Sequence, residues 1–293
     1  MQIHNVLILG KGFLGQRIFR RLKLSPNVNP YIFAKSELDY TRIHNLNTQE
    51  FPHPDIIINA SGYTGKPNVD ACEVNKEECW DLNTRVPLDL YNYCQYLGVL
   101  MIHVSSGCIY SGYDKVYTED DPPDFGLFSN ESSFYSKSKH AAEIFMRDHS
   151  YLINLRVRIP FTCDNTPRNY INKLKGYDKL ISTPNSITCV EELTDMLHSI
   201  ISTSDIYTIP YGTYNVVNPD PVTAKDVTDI MCKYGIENPN WEFIELSDLD
   251  TVANRSNCTL STDKLKSIGH EFKPTLESLE EAIKKLATND KLL

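Results

Sequence analysis

No two of the eight cysteines, at positions 72, 79, 94, 108, 163, 189, 232 and 258, lie closer than seven positions. That spacing excludes Cys-x-x-Cys redox motifs and the ligand pattern of a structural zinc site, so no metal is expected. Basic excess is also missing. Lys plus Arg is 29 against 38 for Asp plus Glu, a net charge of −9. Bulk electrostatic binding to nucleic acid is not expected of such a chain. No apolar run approaches the roughly 20 residues that span a bilayer. The N-terminus has no basic stretch followed by an apolar run and a cleavage site. Repeats and low-complexity tracts are absent. The expectation is a cytoplasmic protein that binds neither membrane nor nucleic acid and keeps its thiols buried and reduced.

Short apolar runs alternate with helical patterns over the first 160 residues. Val6–Leu9 runs into a glycine-rich turn. Phe13, Leu14, Ile18, Phe19 and Leu22 then share one helix face by their spacing of three and four. Tyr31–Phe33, Asp55–Ile58, Leu100–Val104 and Leu152–Val157 read as further strands. Val86–Leu97 and Tyr135–Arg147 read as helices. Continuous apolar strands alternating with helices predict parallel βαβ units. The fold class is therefore α/β, a Rossmann-type doubly wound parallel sheet over 1–160. Prolines punctuate shorter elements beyond it, and 161–293 reads as a smaller α+β substrate-binding region. One segment of that region, near Thr213–Val217, is expected to return to the sheet, and Leu276–Leu286 to form a terminal helix.

The turn Gly10-Lys11-Gly12-Phe13-Leu14-Gly15 lies between the first strand and the first helix. In that context the first glycine makes the tight turn. The second admits a pyrophosphate against the backbone, and the third lets helix and strand pack. The free N–H groups of the helix N-terminus favour phosphate. A dinucleotide is expected there. At the tip of the second strand, about 20 residues on, an acid would bind the ribose 2′-OH. The strand ends Phe33-Ala34-Lys35-Ser36, with no acid at the tip, so Lys35 and Ser36 favour NADP(H), with NAD(H) as the alternative.

Tyr135 and Lys139 are four apart, which puts both on one helix face. A free phenol has a pKa of about 10, and a nearby ammonium lowers it toward working pH. About 30 residues earlier, Ser106 closes an apolar strand at its carboxyl end, where open α/β sheets bind ligands. Its hydroxyl can donate to a carbonyl oxygen. His103 reads as a core histidine, and His140 as pointing to another helix face.

Ser106, Tyr135 and Lys139 after a Gly-rich turn resemble the extended short-chain dehydrogenase/reductase superfamily in its nucleotide-sugar branch. The segments 54–60 and 68–73, with Asn83, look like the dTDP-4-dehydrorhamnose reductase group. That likeness sets Asn59 and Ala60 beside the cofactor. Gly107-Cys108 stands where those reductases usually carry Asp-Tyr. Ser105–Tyr110 is instead similar to GDP-fucose synthase. The chain is most similar to plant-type UDP-4-keto-6-deoxyglucose 3,5-epimerase/4-reductases. Its strongest pieces are residues 65–70, 133–139, 155–160, 167–169, 184–188 and 255–257. The glycine turn is one residue shorter than that group's G-x-x-G-x-x-G.

Epimerisation beside a ketone needs a base on one face of the sugar and an acid on the other. On an extended strand end residues i and i+2 point the same way, so Cys108, two residues past Ser106, is expected to face the same pocket. The resemblance implies that Cys108 is one half of the acid–base pair and that Lys173 is the other. Arg168, Asn169 and Arg255 are expected to hold the sugar nucleotide, and arginine grips a diphosphate bidentately. An ordinary surface ion pair remains the alternative for Arg255.

The implied function is conversion of UDP-4-keto-6-deoxyglucose to UDP-β-L-rhamnose by epimerisation and NADPH-dependent reduction. The chain starts at its first strand, so a separate 4,6-dehydratase is expected to supply the substrate. Relatives are commonly homodimers. Two alternatives stay open: a plain 4-reductase, and a non-catalytic cofactor-binding subunit like the regulatory subunit of methionine adenosyltransferase.

Overall fold

The computed structural model describes residues 3–47, 51–147, 150–202 and 210–290. Strand β1 (His4–Leu9) runs into α1 (Phe13–Leu22) and β2 (Val28–Phe33). Strand β3 (Ile56–Asn59) leads through α2 (Ala71–Val74) and α3 (Lys76–Trp80) to α4 (Val86–Leu97). After β4 (Leu100–Ser106) come β5 (Gly112–Tyr117), α5 (Phe134–Phe145) and β6 (Leu152–Val157). The later half holds β7 (Pro160–Phe161), α6 (Tyr170–Gly176), β8 (Lys179–Ile181), β9 (Thr188–Cys189), α7 (Val190–Ile201) and β10 (Gly212–Asn215). Helix α8 (Ala224–Lys233), β11 (Glu242–Ile244), β12 (Cys258–Leu260), α9 (Asp263–Ser267) and α10 (Thr275–Asp290) complete the order.

Six parallel strands form the central sheet in the order β10-β6-β4-β3-β1-β2. The period-two alternation of strand side chains divides the core between two faces. Val6, Ile8, Ile56, Ile58 and Ile102 pack on one face with Ile18 of α1 and Leu197 of α7. Leu7, Leu9, Ile57 and Met101 pack on the other with Leu90 of α4 and Ala142 of α5. Helices therefore cover both faces, and the doubly wound α/β expectation holds. A third core joins Phe161, Ile171, Val227, Met231 and Ile283 beyond the carboxyl ends of the strands.

The strand order reverses between β1's two neighbours, β2 and β3, and ligands of such sheets bind at that switch point. A Cβ on Gly10 would lie 2.6 Å from the Ser61 nitrogen, and Gly10 has φ +106°. A Cβ on Gly15 would lie 1.9 Å from the Gly10 carbonyl oxygen. Both glycines are fixed by close approach of the turn to β3 and to the helix. The second glycine differs: a Cβ on Gly12 meets nothing within 4 Å, so the turn is open to a ligand on that side.

Helix α5 is fastened to the sheet by a buried ion pair. Glu143 accepts from Arg156 of β6 at 2.7 Å and from the Ser105 hydroxyl at 2.7 Å. Arg156 also donates to the Tyr110 hydroxyl at 2.8 Å. Burial pushes the Glu143 carboxyl up, but Arg156 and the neighbouring donors, Ser105 among them, together outweigh it and hold the group below its ordinary range. Glu143 is one turn beyond Lys139 and two beyond Tyr135, so the same anchor orients all three.

Five of the seven cysteines expected to be buried are so: 72, 79, 94, 189 and 258. Cys163 is half-buried and Cys232 exposed, a correction to the sequence expectation. Cys232 follows Met231 on α8 but lies off the face formed by Val227, Thr228 and Met231.

Glu143→Gln leaves Arg156 buried without a counter-charge. Urea unfolding is expected to show a loss of about 3 kcal/mol or more. A loss under about 1 kcal/mol, the size of a surface pair, would show that the pair does not hold the helix.

Candidate active site

Ser133 caps α5, its hydroxyl accepting from the Ser136 N–H at 3.1 Å. The helix then presents Tyr135 to the end of β4, close enough for the Ser106 hydroxyl to act on the phenol. The Ser106 oxygen also accepts from the Cys108 N–H at 3.1 Å. The extended geometry that the spacing of Ser106 and Cys108 assumes thus stops at Ser106, and the chain turns. Gly107 permits this turn: a Cβ there would lie 2.5 Å from Leu260 and 2.9 Å from the Arg158 side chain.

Burial pushes the Tyr135 phenol up, and the Cys108 thiol adds to the rise, while the nearby Ser106 hydroxyl works against it. The sequence expectation that Lys139 dominates and lowers this phenol is not met. The Lys139 ammonium instead lies 3.4 Å from the Val104 carbonyl. Burial lowers the Lys139 amine to about 8. Asn83 lines the same recess from a π-helical turn, donating to Ser138 at 3.1 Å and to the Tyr63 carbonyl at 2.8 Å.

Lys173 of α6 is half-buried, unlike the exposed Lys175 and Lys179. Burial, then Arg168 and Arg255, push its amine down, and it lies within electrostatic reach of Cys108. Arg168 donates to Thr64 at 3.0 Å and to the Gly65 carbonyl at 2.8 Å. Arg255 pairs with Asp70 at 2.9 Å. Both guanidinium groups therefore brace the loop after β3 and flank Lys173. Asn169 departs from expectation. It is fully buried, and its carbonyl accepts from Thr162 and Ile171 while its amide donates to Thr162 and Asp164. Those bonds assign it to the cap of α6 rather than to a substrate.

On the dinucleotide side, α1 has no side-chain cap, so its first N–H groups are free for phosphate. The cradle at Gly12 and this donor set fit a pyrophosphate beside Phe13 and Leu14. Ala60 packs against Gly10 and Gly15. The Asn59 side chain turns inward, accepting from Ser61 and meeting His103 at 3.2 Å. It orders the turn instead of reaching outward. His103 is fully buried, and burial pushes it well below its ordinary value; His140 accepts from the Leu127 N–H at 3.0 Å. Lys35 and Ser36 are exposed at the tip of β2, and a groove runs from Lys35 past Trp80 to Phe134. The tip also has an acid that the sequence reading missed. Glu37 folds back to accept from the Ala34 N–H at 2.8 Å and from Lys11 at 2.7 Å.

A dinucleotide-type sheet with this Ser, Tyr and Lys arrangement defines a protein of the extended short-chain dehydrogenase/reductase class. The chain matches the RmlD substrate binding domain family over residues 4–288 and belongs to it. It is 33% identical over 267 residues to the Arabidopsis thaliana trifunctional UDP-glucose 4,6-dehydratase/UDP-4-keto-6-deoxy-D-glucose 3,5-epimerase/UDP-4-keto-L-rhamnose-reductase RHM1. That match covers 88% of this chain but only 38% of the relative. It is 35% identical to an Arabidopsis bifunctional dTDP-4-dehydrorhamnose 3,5-epimerase/dTDP-4-dehydrorhamnose reductase, over 78% of this chain and 75% of that one. Among solved structures, the L780 UDP-rhamnose synthase of Acanthamoeba polyphaga mimivirus superposes with TM-score 0.84 at 24% identity, covering 97% of this chain and 99% of its own. A dTDP-4-dehydrorhamnose reductase from Bacillus anthracis in complex with NADP gives 0.80 at 23%, over 99% and 100%. These two structures establish the shared fold. Among the described residues no helix is long and apolar enough to cross a membrane.

Lys139 carries a testable stability cost. The unfolded chain holds this proton up to about pH 10.4. The folded chain releases it near pH 8. The unfolded state therefore binds more protons between those values, and the contribution of this group to stability rises with pH across that window. Lys139→Met is expected to stabilise the fold at pH 7, by up to about 3 kcal/mol. The gain should shrink above pH 8. Thermal unfolding at several pH values measures it, and a pH-independent difference would contradict the burial argument.

Proposed function

We propose that the chain is a bifunctional 3,5-epimerase and 4-reductase that converts UDP-4-keto-6-deoxyglucose to UDP-β-L-rhamnose with NADPH. The observation that carries this reading is the position of Cys108. Its thiol lies within electrostatic reach of both Tyr135 and Lys173. A reductase alone needs Ser106, Tyr135 and Lys139. A thiol and a lowered lysine amine beside them supply the second acid–base set that inversion at C3 and C5 requires. The likeness to plant epimerase/reductases supports the same assignment.

Ser106 and Tyr135 hydrogen-bond the C4 oxygen and stabilise the enolate that forms when an adjacent proton leaves. Cys108 takes that proton, and Lys173 returns one on the opposite face. The dinucleotide, held at Gly12 and the α1 N-terminus, supplies hydride to C4 when bound. Tyr135 protonates the C4 oxygen, and Lys139 holds positive charge beneath it. At the β2 tip Lys11 neutralises Glu37, so with Lys35 nearby the site tolerates a 2′-phosphate, and NADPH is preferred over NADH. The proposed setting is cytoplasmic, as a homodimer fed by a 4,6-dehydratase.

Incubation with UDP-4-keto-6-deoxyglucose and NADPH, with the product identified by NMR, tests the reading. UDP-rhamnose is expected, and no conversion without a separate epimerase would leave a plain 4-reductase. Cys108→Ser should abolish solvent-deuterium exchange at C3 and C5 while sparing reduction of an already epimerised ketone. Tyr135→Phe should slow reduction by about 100-fold or more and leave a slower exchange, supported by the Ser106 hydroxyl alone. Unchanged exchange in Cys108→Ser would sink the assignment of Cys108 as the epimerase base.

A further inference from the structure

We propose that Arg158 is a positioning residue for Cys108: its buried guanidinium favours the thiolate that acts as the epimerase base. The inference rests on the epimerase reading above. Arg158 follows β6 and is 1% exposed. Its Nη1 donates to the Gly107 carbonyl at 3.2 Å, to the Ser256 hydroxyl at 2.7 Å and to Cys108 Sγ at 3.8 Å. Its Nη2 donates to Asn185 and to the Ser256 carbonyl, and its Nε to the Ser186 carbonyl. None of these partners is a carboxylate. Two residues earlier, Arg156 is equally buried but meets Glu143.

A buried cation without a counter-charge is costly, so a group beside it is driven to become an anion. Three ionisable groups with an acidic proton act on Arg158: Cys258, Cys108 and Tyr113. Cys258 is buried and donates its S–H to the Gly107 carbonyl, and burial pushes its thiol up. Tyr113 donates to the Pro184 carbonyl at 2.8 Å, and burial raises it too. Cys108 alone of the three accepts from Arg158. Gly107 makes this possible, since a side chain there would displace the arginine.

The other groups facing Cys108 are Tyr135 and Lys139 from α5, Lys173 from α6 and Cys258 from β12. Both lysines are pushed down by burial and lose their charge as pH rises. A guanidinium stays charged across the working range. Arg158 is therefore the constant part of the field. In the reaction the thiolate forms an S–H bond as the sugar C–H breaks. The electron pair passes to the C4 oxygen as enolate, and the Lys173 ammonium gives a proton to the opposite face.

The test uses the whole protein and iodoacetamide, with alkylation read site by site by peptide mass spectrometry. In the wild type, half-buried Cys108 is expected to react several-fold faster at pH 7 than exposed Cys232, because the thiolate is the nucleophile. In Arg158→Gln Cys108 should react several-fold more slowly at pH 7, with its rate profile displaced to higher pH. The acid limb of the C3/C5 deuterium-exchange profile should move with it. A structural role alone would lower yield or stability and leave both profiles in place. Slower reaction at Cys108 than at Cys232 in the wild type overturns the inference, and this needs no variant. An unmoved profile in folded Arg158→Gln overturns it as well. Fast Cys108 alkylation without any exchange would instead sink the epimerase reading and leave the Arg158 effect standing.

Discussion

The Glu143–Arg156 pair is the contact on which the site depends. A helix packed on a sheet through Ala141 and Ala142 has small side chains and little to fix its rotation. The buried carboxylate supplies that missing constraint. It ties α5 to β6 through Arg156 and to β4 through Ser105, the neighbour of Ser106. One rotation of the helix then sets Tyr135, Lys139 and Glu143 together against the end of β4. A buried ion pair is weak evidence for net stability, because desolvation offsets much of its attraction. Its worth here is geometric, since the pair forms with Glu143 turned toward β6.

Burial then works against the two groups that the helix delivers. It raises the Tyr135 phenol and lowers the Lys139 amine to about 8, which disfavours both charged forms while leaving the amine mostly protonated at pH 7. The attraction that would stabilise a phenolate and an ammonium together must overcome desolvation on both sides. In this structure it does not. The Lys139 nitrogen rests near a backbone carbonyl instead of the phenol. The cost is characteristic of a site that holds its charges in reserve: groups poorly solvated before reaction are those most responsive to charge that develops on a substrate oxygen.

Much of this was legible in the sequence. The sheet strands announced themselves as β-branched runs, and α4 and β6 fall where periodicity put them. The three glycines have separate physical reasons, two steric and one an open approach. What stayed hidden shares one feature: it depends on residues that are distant in the chain. Glu37 sits beyond the strand tip and returns only because Lys11 and the Ala34 N–H draw it back. Asn169 read as a ligand-binding amide, yet its position just before a helix was a cap signal. Glu143 had a local sign, its spacing from Lys139. Arg158 had none, because an arginine among apolar strand residues gives no hint of what it meets.

The step from reductase to epimerase, on the proposed reading, turns on two adjacent residues. Where related reductases usually carry Asp-Tyr after the catalytic hydroxyl, this chain has Gly107-Cys108. A thiol alone would be one more sulfur in a protein with eight cysteines. The glycine changes that. By removing a side chain it opens the volume into which Arg158 extends, and the guanidinium then reaches the sulfur. An aspartate at that position would supply a competing anion, and its bulk would collide with Leu260. The small residue and the reactive one are therefore a single physical unit, and neither has the proposed effect without the other.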